Sequence, residues 1–154
     1  MENIVPGFRP LCTIEIQAAA PLAIGPTRFG DVRVVPFASG TFAGPELRGS
    51  VLAGGTDWQE IAADGTLEIH ARYLLETEQG ERIEVRSEGL RSGPPDVLAQ
   101  LAQGAELPAS AYYFRTAIRF RTAAPRLARL NDILAFSRGQ RVRATVQLAV
   151  FELL

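Results

Sequence analysis

Asp57 is the first residue of this sequence with a clear chemical use. It follows the Gly54-Gly55 pair and precedes Trp58, the only tryptophan in the 154 residues. Glycines let a backbone turn sharply, and an apolar wall raises the pKa of a carboxyl group toward the range useful for proton transfer. This string therefore predicts a proton acceptor, Asp57, beside an apolar wall, Trp58. The alternative is an aspartate that caps a turn beside a core indole.

Two later strings place histidine, arginine and tyrosine at alternate positions. His70 and Arg72 share one face of a predicted strand, and Tyr113 and Arg115 share one face of another. We expect Asp57 or His70 to move a proton and both arginines to bind a carboxylate or enolate. Tyr113 would donate a hydrogen bond. A solvent-exposed role for these faces is the alternative.

The composition excludes several classes of site. All 16 basic residues are arginine, so no lysine can form a Schiff base or complete a P-loop. One histidine and one cysteine exclude structural disulfides and Cys/His zinc sites. A net charge of -1 argues against a nucleic-acid partner. We therefore expect no cofactor and no metal.

The candidate residues sit in a sequence dominated by a period of two, which is typical of β-strands. Predicted strands include 66–77, 81–88, 111–122 and 141–153, and some of them are longer than the usual strand. Residues 96–103 predict one short helix that follows the Pro94-Pro95 stop. Long strands and short turns favour one all-β domain over residues 1–154, an antiparallel barrel of eight to nine strands.

The same strings carry a resemblance to a known family. Gly54 to Gln59, Tyr113 to Thr116 and Leu130-Asn131 resemble the bacterial and fungal family of domain of unknown function 3237, in the family's order over residues 10–152. The resemblance implies a lipocalin-like barrel and adds Asn131 to the candidate substrate-binding residues. His70 stands where that family usually has aspartate, and Arg129 stands where it usually has tryptophan.

The sequence thus predicts a barrel that binds a small, anionic organic molecule. The more specific version of this prediction is a cofactor-independent acid/base enzyme (a lyase, isomerase, hydratase or cyclase) that acts on an enolisable carbonyl or aromatic compound. A non-catalytic carrier or sensor of a small organic acid is the alternative.

Two further expectations concern the setting of the protein. The first six residues lack the pattern of a signal peptide and no stretch is long enough to span a membrane, so we expect a cytoplasmic protein with no membrane partner. We also expect a homodimer formed by the outer faces of the C-terminal strands. The reason is that the lumen, which must also hold polar groups, has too little room for all the apolar residues of these strands, so that another subunit must cover some of them. These residues are Tyr112, Phe114, Ile118, Phe120, Leu148 and Val150.

Overall fold

Ten strands and one short α-helix make up most of residues 4–154. The structure is a computed structural model that describes residues 4–154, so the first half of the stretch judged for a signal peptide lies outside the described residues. The strands are β1 (Phe8–Ala18), β2 (Leu22–Thr27), β3 (Gly30–Ala43), β4 (Arg48–Val51), β5 (Thr56–Ile61), β6 (Leu67–Thr77), β7 (Arg82–Ser92), β8 (Tyr113–Thr122), β9 (Ala135–Val142) and β10 (Thr145–Leu153). The helix α1 is Pro95–Ala102, and short 3-10 helices span Ala109–Ala111 and Pro125–Asp132.

The strands pair antiparallel into a closed barrel. Neighbours run from β1 through β10, β9, β8, β7 and β6, and β4 and β5 then lie end to end between β6 and β3. Pairing of β3 with β1 closes the ring at eight strand positions, with β2 along the first half of β3. The predicted antiparallel barrel is therefore confirmed.

The hydrophobic core of the molecule is the inside of this barrel. Along β6 every second residue from Leu67 to Leu75 is buried, while His70 and Arg72 between them are exposed. Successive side chains of a strand point to opposite faces, so the apolar face of each long strand fills the lumen and the polar face meets solvent.

The two ends of the barrel are closed differently. α1 connects β7 to β8 and begins with a proline in its first turn, where the missing N–H costs nothing. Its Leu98 and Leu101 are buried against the barrel interior. At the opposite end the 3-10 helix Pro125–Asp132 buries Leu127 and Leu130. A cavity inside the barrel lies at the end covered by α1.

The structural basis of the predicted homodimer is wrong. All six apolar residues that were expected not to fit together in the lumen are buried in the core, because the lumen accommodates both them and a set of polar groups. The homodimer itself stays a prediction. Among residues 4–154, none of the helices has the length and hydropathy required to cross a membrane.

Candidate functional site

A cavity of about 390 Å³ occupies the α1 end of the lumen. It is bordered by the β1–β2 connection at Ala18 to Pro21, by Ala102 at the end of α1 and by Ala144 between β9 and β10. The volume lies in the range of small-molecule sites. Its wall is mostly apolar and includes Ile16, Val35, Phe37, Leu67, Ile69, Ala71, Phe114, Val146 and Leu148.

The ionisable groups in this wall are mainly cationic. Three arginines, Arg33 on β3, Arg91 on β7 and Arg141 on β9, line the cavity together with a single carboxyl group, that of Asp57 on β5. Three positive charges against one negative charge leave the described lining with a surplus of two positive charges when Asp57 is ionised. Such a cavity is electrostatically suited to an anion.

Hydrogen bonds fix the Asp57 carboxylate in the cavity wall. Gln59 Nε2 donates to Asp57 Oδ2 at 2.6 Å, and the backbone N–H of His70 donates to Oδ1 at 3.0 Å. The other end of the Gln59 amide is also used, because Arg33 Nε donates to Gln59 Oε1 at 2.7 Å. The carboxylate, the amide and the guanidinium are therefore held as one connected unit.

Burial adjusts the acidity of this carboxyl group. Desolvation raises the pKa of Asp57 from 3.8 to about 6, although the hydrogen bonds from Gln59 and from the His70 backbone act in the opposite direction. A group with a pKa near 6 both accepts and releases a proton readily at neutral pH. Asp57 therefore has the position and the acidity of a general acid or base.

Arg91 is the most deeply buried of the three arginines and is only 7% exposed. Desolvation lowers its pKa to about 10, and the positive charges of Arg141 and Arg33 act in the same direction. Its Nε atom has no hydrogen-bond partner among the described residues. Burial of this positive charge is costly for the protein alone, and the charge of a bound anion would offset part of that cost.

Three hydroxyl groups form a hydrogen-bonded row along the inner wall of the barrel, one on each of the adjacent strands β7, β8 and β9. Ser87 on β7 donates to Thr116 on β8 at 2.8 Å, and Thr116 is 2.6 Å from Ser137 on β9. Ser87 and Thr116 line the cavity. These hydroxyls form a polar patch in the wall, and each of them has a hydrogen-bond partner within the patch.

Of the residues predicted to form the site, Asp57 alone has its side chain in the cavity wall. Trp58 and Tyr113 are each 50% exposed on the outer wall. Arg72 also faces outward, where its Nη2 lies 3.0 Å from Glu84 Oε2. The predicted convergence of Asp57, His70, Trp58, Arg72, Tyr113 and Arg115 on one cavity is therefore wrong.

The outer positions of His70 and Arg115 have the same physical cause. The apolar faces of β6 and β8 fill the lumen, so residues in the alternate positions must point outward. The exposed His70 supplies only its backbone N–H to the site. Arg115 lies over the ring of Tyr113 at 4.9 Å and donates to the Phe114 carbonyl oxygen.

Asn131 lies at the opposite end of the barrel and has a structural role. Its Oδ1 accepts from the Thr122 N–H at 2.9 Å, and its Nδ2 donates to the carbonyl oxygens of Thr122 and Ala128. These bonds tie the 3-10 helix to the end of β8. The predicted contact of Asn131 with a ligand in the cavity is therefore wrong.

The arginines that give the cavity its charge were not among the predicted site residues, although the sequence contains a signal for two of them. Arg91 lies in the same alternating register as the apolar Ile83 and Val85, and Arg33 shares the register of Val35 and Phe37. An arginine in phase with an apolar strand face points into the core. Among residues 4–154 there is no group of three histidine, cysteine or acidic side chains placed to hold a metal ion.

Comparison with known proteins supports this architecture. A UPF0311 protein of Clostridium acetobutylicum is 32% identical over 120 residues, which are 77% of this chain and 76% of that protein. The crystal structure of a conserved protein of unknown function from Rhodopseudomonas palustris superposes with a TM-score of 0.93, at 28% identity and 99% coverage of both chains. A β-barrel-like protein from Acinetobacter baumannii gives a TM-score of 0.84, at 32% identity, covering 99% of this chain and all of that one.

The family assignment follows from a match to almost the whole chain. The model of the family described as "Protein of unknown function (DUF3237)" matches residues 6–153. This range includes every strand and the complete cavity wall. The chain therefore belongs to the DUF3237 family.

Proposed function

We propose that the barrel binds a small organic anion in its cavity and that Asp57 exchanges a proton with the bound compound. The observation that carries the proposal is the surplus of arginine inside the lumen. Three guanidinium groups line an apolar cavity whose only described carboxyl group is that of Asp57. A ligand with an anionic group and an apolar body matches both properties of that wall.

Arg91 is the expected centre of anion binding. Its guanidinium is buried, and its Nε has no partner among residues 4–154. Arginine presents its donors in a planar fork that fits a carboxylate with two parallel hydrogen bonds. Arg33 and Arg141 are close enough to lower the pKa of Arg91, so they also contribute to the field around a bound carboxylate.

Asp57 supplies the chemistry in the catalytic form of this proposal. Its carboxylate takes a proton from a carbon next to a carbonyl group, the electron pair of the C–H bond moves to the carbonyl oxygen, and the arginines stabilise the resulting enolate. Protonated Asp57 then returns the proton to the same or to another atom. Some lyases, isomerases, hydratases and cyclases use this step.

The binding part is tested with cinnamate and its neutral amide, cinnamamide, by isothermal titration calorimetry. We expect wild-type protein to bind cinnamate more tightly, and Arg91→Leu to weaken cinnamate binding at least tenfold while leaving cinnamamide unchanged, because a charged hydrogen bond contributes about 1.5–3 kcal/mol. Arg119→Leu on the exposed outer wall is the matched control. Equal affinity for the acid and the amide, or no binding of either, would contradict the proposal.

The proton-transfer part is tested with phenylpyruvate in D₂O. Proton NMR should show loss of the C3 hydrogens faster than in buffer alone, and Asp57→Asn should remove the acceleration while phenylpyruvate still binds. Glu88→Gln changes an exposed carboxylate on β7 and serves as the control. If the wild type binds phenylpyruvate without accelerating the exchange, the proposal that Asp57 catalyses proton transfer is wrong. The proposal that the protein is a non-catalytic carrier or sensor then stands.

A further inference from the structure

We propose that the head group bound by the barrel carries two negative charges and is held jointly by Arg33, Arg91 and Arg141. This inference rests on the proposed function, because it assumes that an organic anion enters the cavity. It narrows the ligand class to compounds with an apolar body and a dianionic head group, which is either a phosphate or a pair of carboxylates on one carbon. The supporting observations are the placement of the three arginines, their unused hydrogen-bond donors and the charge of the cavity.

The three arginines lie on strands that are spaced around the barrel. Two strand steps separate β9 from β7, three separate β7 from β3, and three more lead from β3 through β1 and β10 back to β9. All three residues belong to the end of the barrel covered by α1, because Arg91 and Arg141 precede the last residue of their strands and Arg33 lies near the start of an oppositely directed strand. Since their side chains line one cavity, these three residues form what we call the arginine ring.

The guanidinium groups of the arginine ring are close enough to act on one another. Burial is the main reason for the lowered pKa of Arg91, and the charges of Arg141 and Arg33 lower it further. Burial also lowers the pKa of Arg33, and Arg141 again acts in the same direction. Asp57 and the exposed Asp31 act on Arg33 in the opposite sense. Without a ligand the arginine ring is therefore a place of mutual repulsion, which a bound anion would reduce.

The arginine ring also has hydrogen-bond donors that the protein does not use. Arg33 Nε donates to Gln59 Oε1 at 2.7 Å, and Arg141 Nε donates to the Arg143 carbonyl oxygen at 2.9 Å. Among residues 4–154, no hydrogen bond or ion pair involves a terminal Nη atom of these two residues or of Arg91, whereas eight other arginines form ion pairs with carboxylates. A phosphate or a pair of carboxylates presents acceptor oxygens in several directions, so it can accept from guanidinium groups on different sides of the barrel.

The charge of the cavity favours a ligand with two negative charges. With Asp57 ionised, the described lining has three positive charges and one negative charge, a surplus of two. A monoanion would leave one positive charge uncompensated in a largely apolar wall, whereas a dianion balances the lining. Protonation of Asp57 raises the surplus to three, so the dianion is preferred in both states of this carboxyl group.

The test compares dianions with monoanions of similar shape by isothermal titration calorimetry at about pH 8, where a phosphate monoester is dianionic. The first pair is phenyl phosphate and its methyl ester, methyl phenyl phosphate. The second pair is benzylmalonate and 3-phenylpropanoate, which lacks one of the two carboxylates. For at least one pair, we expect the wild type to bind the dianion at least tenfold more tightly, because a further charged hydrogen bond forms in a poorly solvated site. The pair with the larger preference identifies the head group as a phosphate or as two carboxylates.

A variant of the half-buried Arg141 tests the arginine ring itself. Arg141→Gln removes one positive charge, and we expect it to reduce the preference for the dianion at least threefold, since a dianion then exceeds the charge surplus of the lining. The monoanion, which Arg91 still binds, should keep its affinity within threefold of wild type and so show that the variant is folded. Arg138→Gln is the matched control, because it removes an exposed arginine from the outer face of the same strand.

Each other outcome overturns a defined part of the account. If the preference of the wild type is below tenfold in both pairs, the head group is not a dianion, and this comparison requires no variant. If Arg141→Gln reduces the preference less than threefold, or no more than Arg138→Gln does, the arginine ring does not hold the second charge. In both cases the binding of organic anions still stands, whereas the proposed function fails as well if none of the four compounds binds.

Discussion

Asp57 carries an energetic cost that depends on pH. Its pKa is about 6 in the folded protein, compared with 3.8 for an unperturbed group, because burial disfavours the charged form. Between these two values the folded state binds more protons than the unfolded state, so the contribution of Asp57 to stability falls as the pH rises. Glu152 acts in the opposite sense, since its hydrogen bonds with Arg9 and Arg129 lower its pKa and its contribution is lost in acid.

Comparison with Asp57→Asn isolates this effect from that of the other carboxylates. We expect the free energy of unfolding of wild type, relative to the variant, to fall by about 2 kcal/mol between pH 4.5 and 7.5. In Asp57→Asn the amide nitrogen faces one of the two hydrogen-bond donors, Gln59 Nε2 or the His70 backbone N–H, and that hydrogen bond is lost. This loss does not depend on pH, so it cancels when the difference in stability between the two proteins is compared at the two pH values. Urea denaturation at both pH values measures the difference, and a constant difference would show that Asp57 is not desolvated.

At the scale of single residues, the sequence predicts that Asp57 belongs to the site but does not predict which groups contact its carboxylate. Asp57 and Trp58 are consecutive in β5, and consecutive side chains of a strand point to opposite faces. The indole therefore cannot form the wall beside the carboxylate. The residues that do contact Asp57, among them Gln59 and His70 through its backbone, come from the same strand and from strand pairing.

At the scale of elements, alternation predicts the strands closely but does not say which face is enclosed. The predicted strand 66–77 is observed as Leu67–Thr77, and the predicted helix 96–103 as Pro95–Ala102. At β6 and β8 the polar face was predicted to line the lumen, whereas the structure has it on the outer wall. In a barrel of eight strand positions the lumen is itself the core, so the apolar face must be the inner one.

The helix α1 is the element that closes the end of the barrel with the cavity. The side chain of Leu101, which belongs to this helix, is fully buried. Leu101→Ala should therefore destabilise the fold by about 2–5 kcal/mol, because apolar burial is lost and a void is left in the core. Gln100→Ala on the exposed side of the same helix should change stability by less than about 0.5 kcal/mol. Urea denaturation of both variants provides the measurement; similar small effects would mean that α1 does not contribute to the core.

At the scale of the whole molecule, a net charge of -1 conceals a strong separation of charge. Outside the cavity many arginines are paired with carboxylates, as in Arg72 with Glu84, Arg126 with Glu81 and Arg143 with Glu106. Inside it, three arginines face one aspartate. Composition reports only the sum, so the cationic interior could not be predicted from it and required the closure of the barrel.

A crystal structure of the protein with cinnamate tests the central claim most directly. The account predicts the aromatic ring inside the barrel, between the apolar residues of β3 and β6, and the carboxylate oxygens within hydrogen-bonding distance of the Arg91 guanidinium. Cinnamate bound on the outer wall near His70 and Arg72, or a cavity without cinnamate at a concentration that saturates binding in solution, would contradict it.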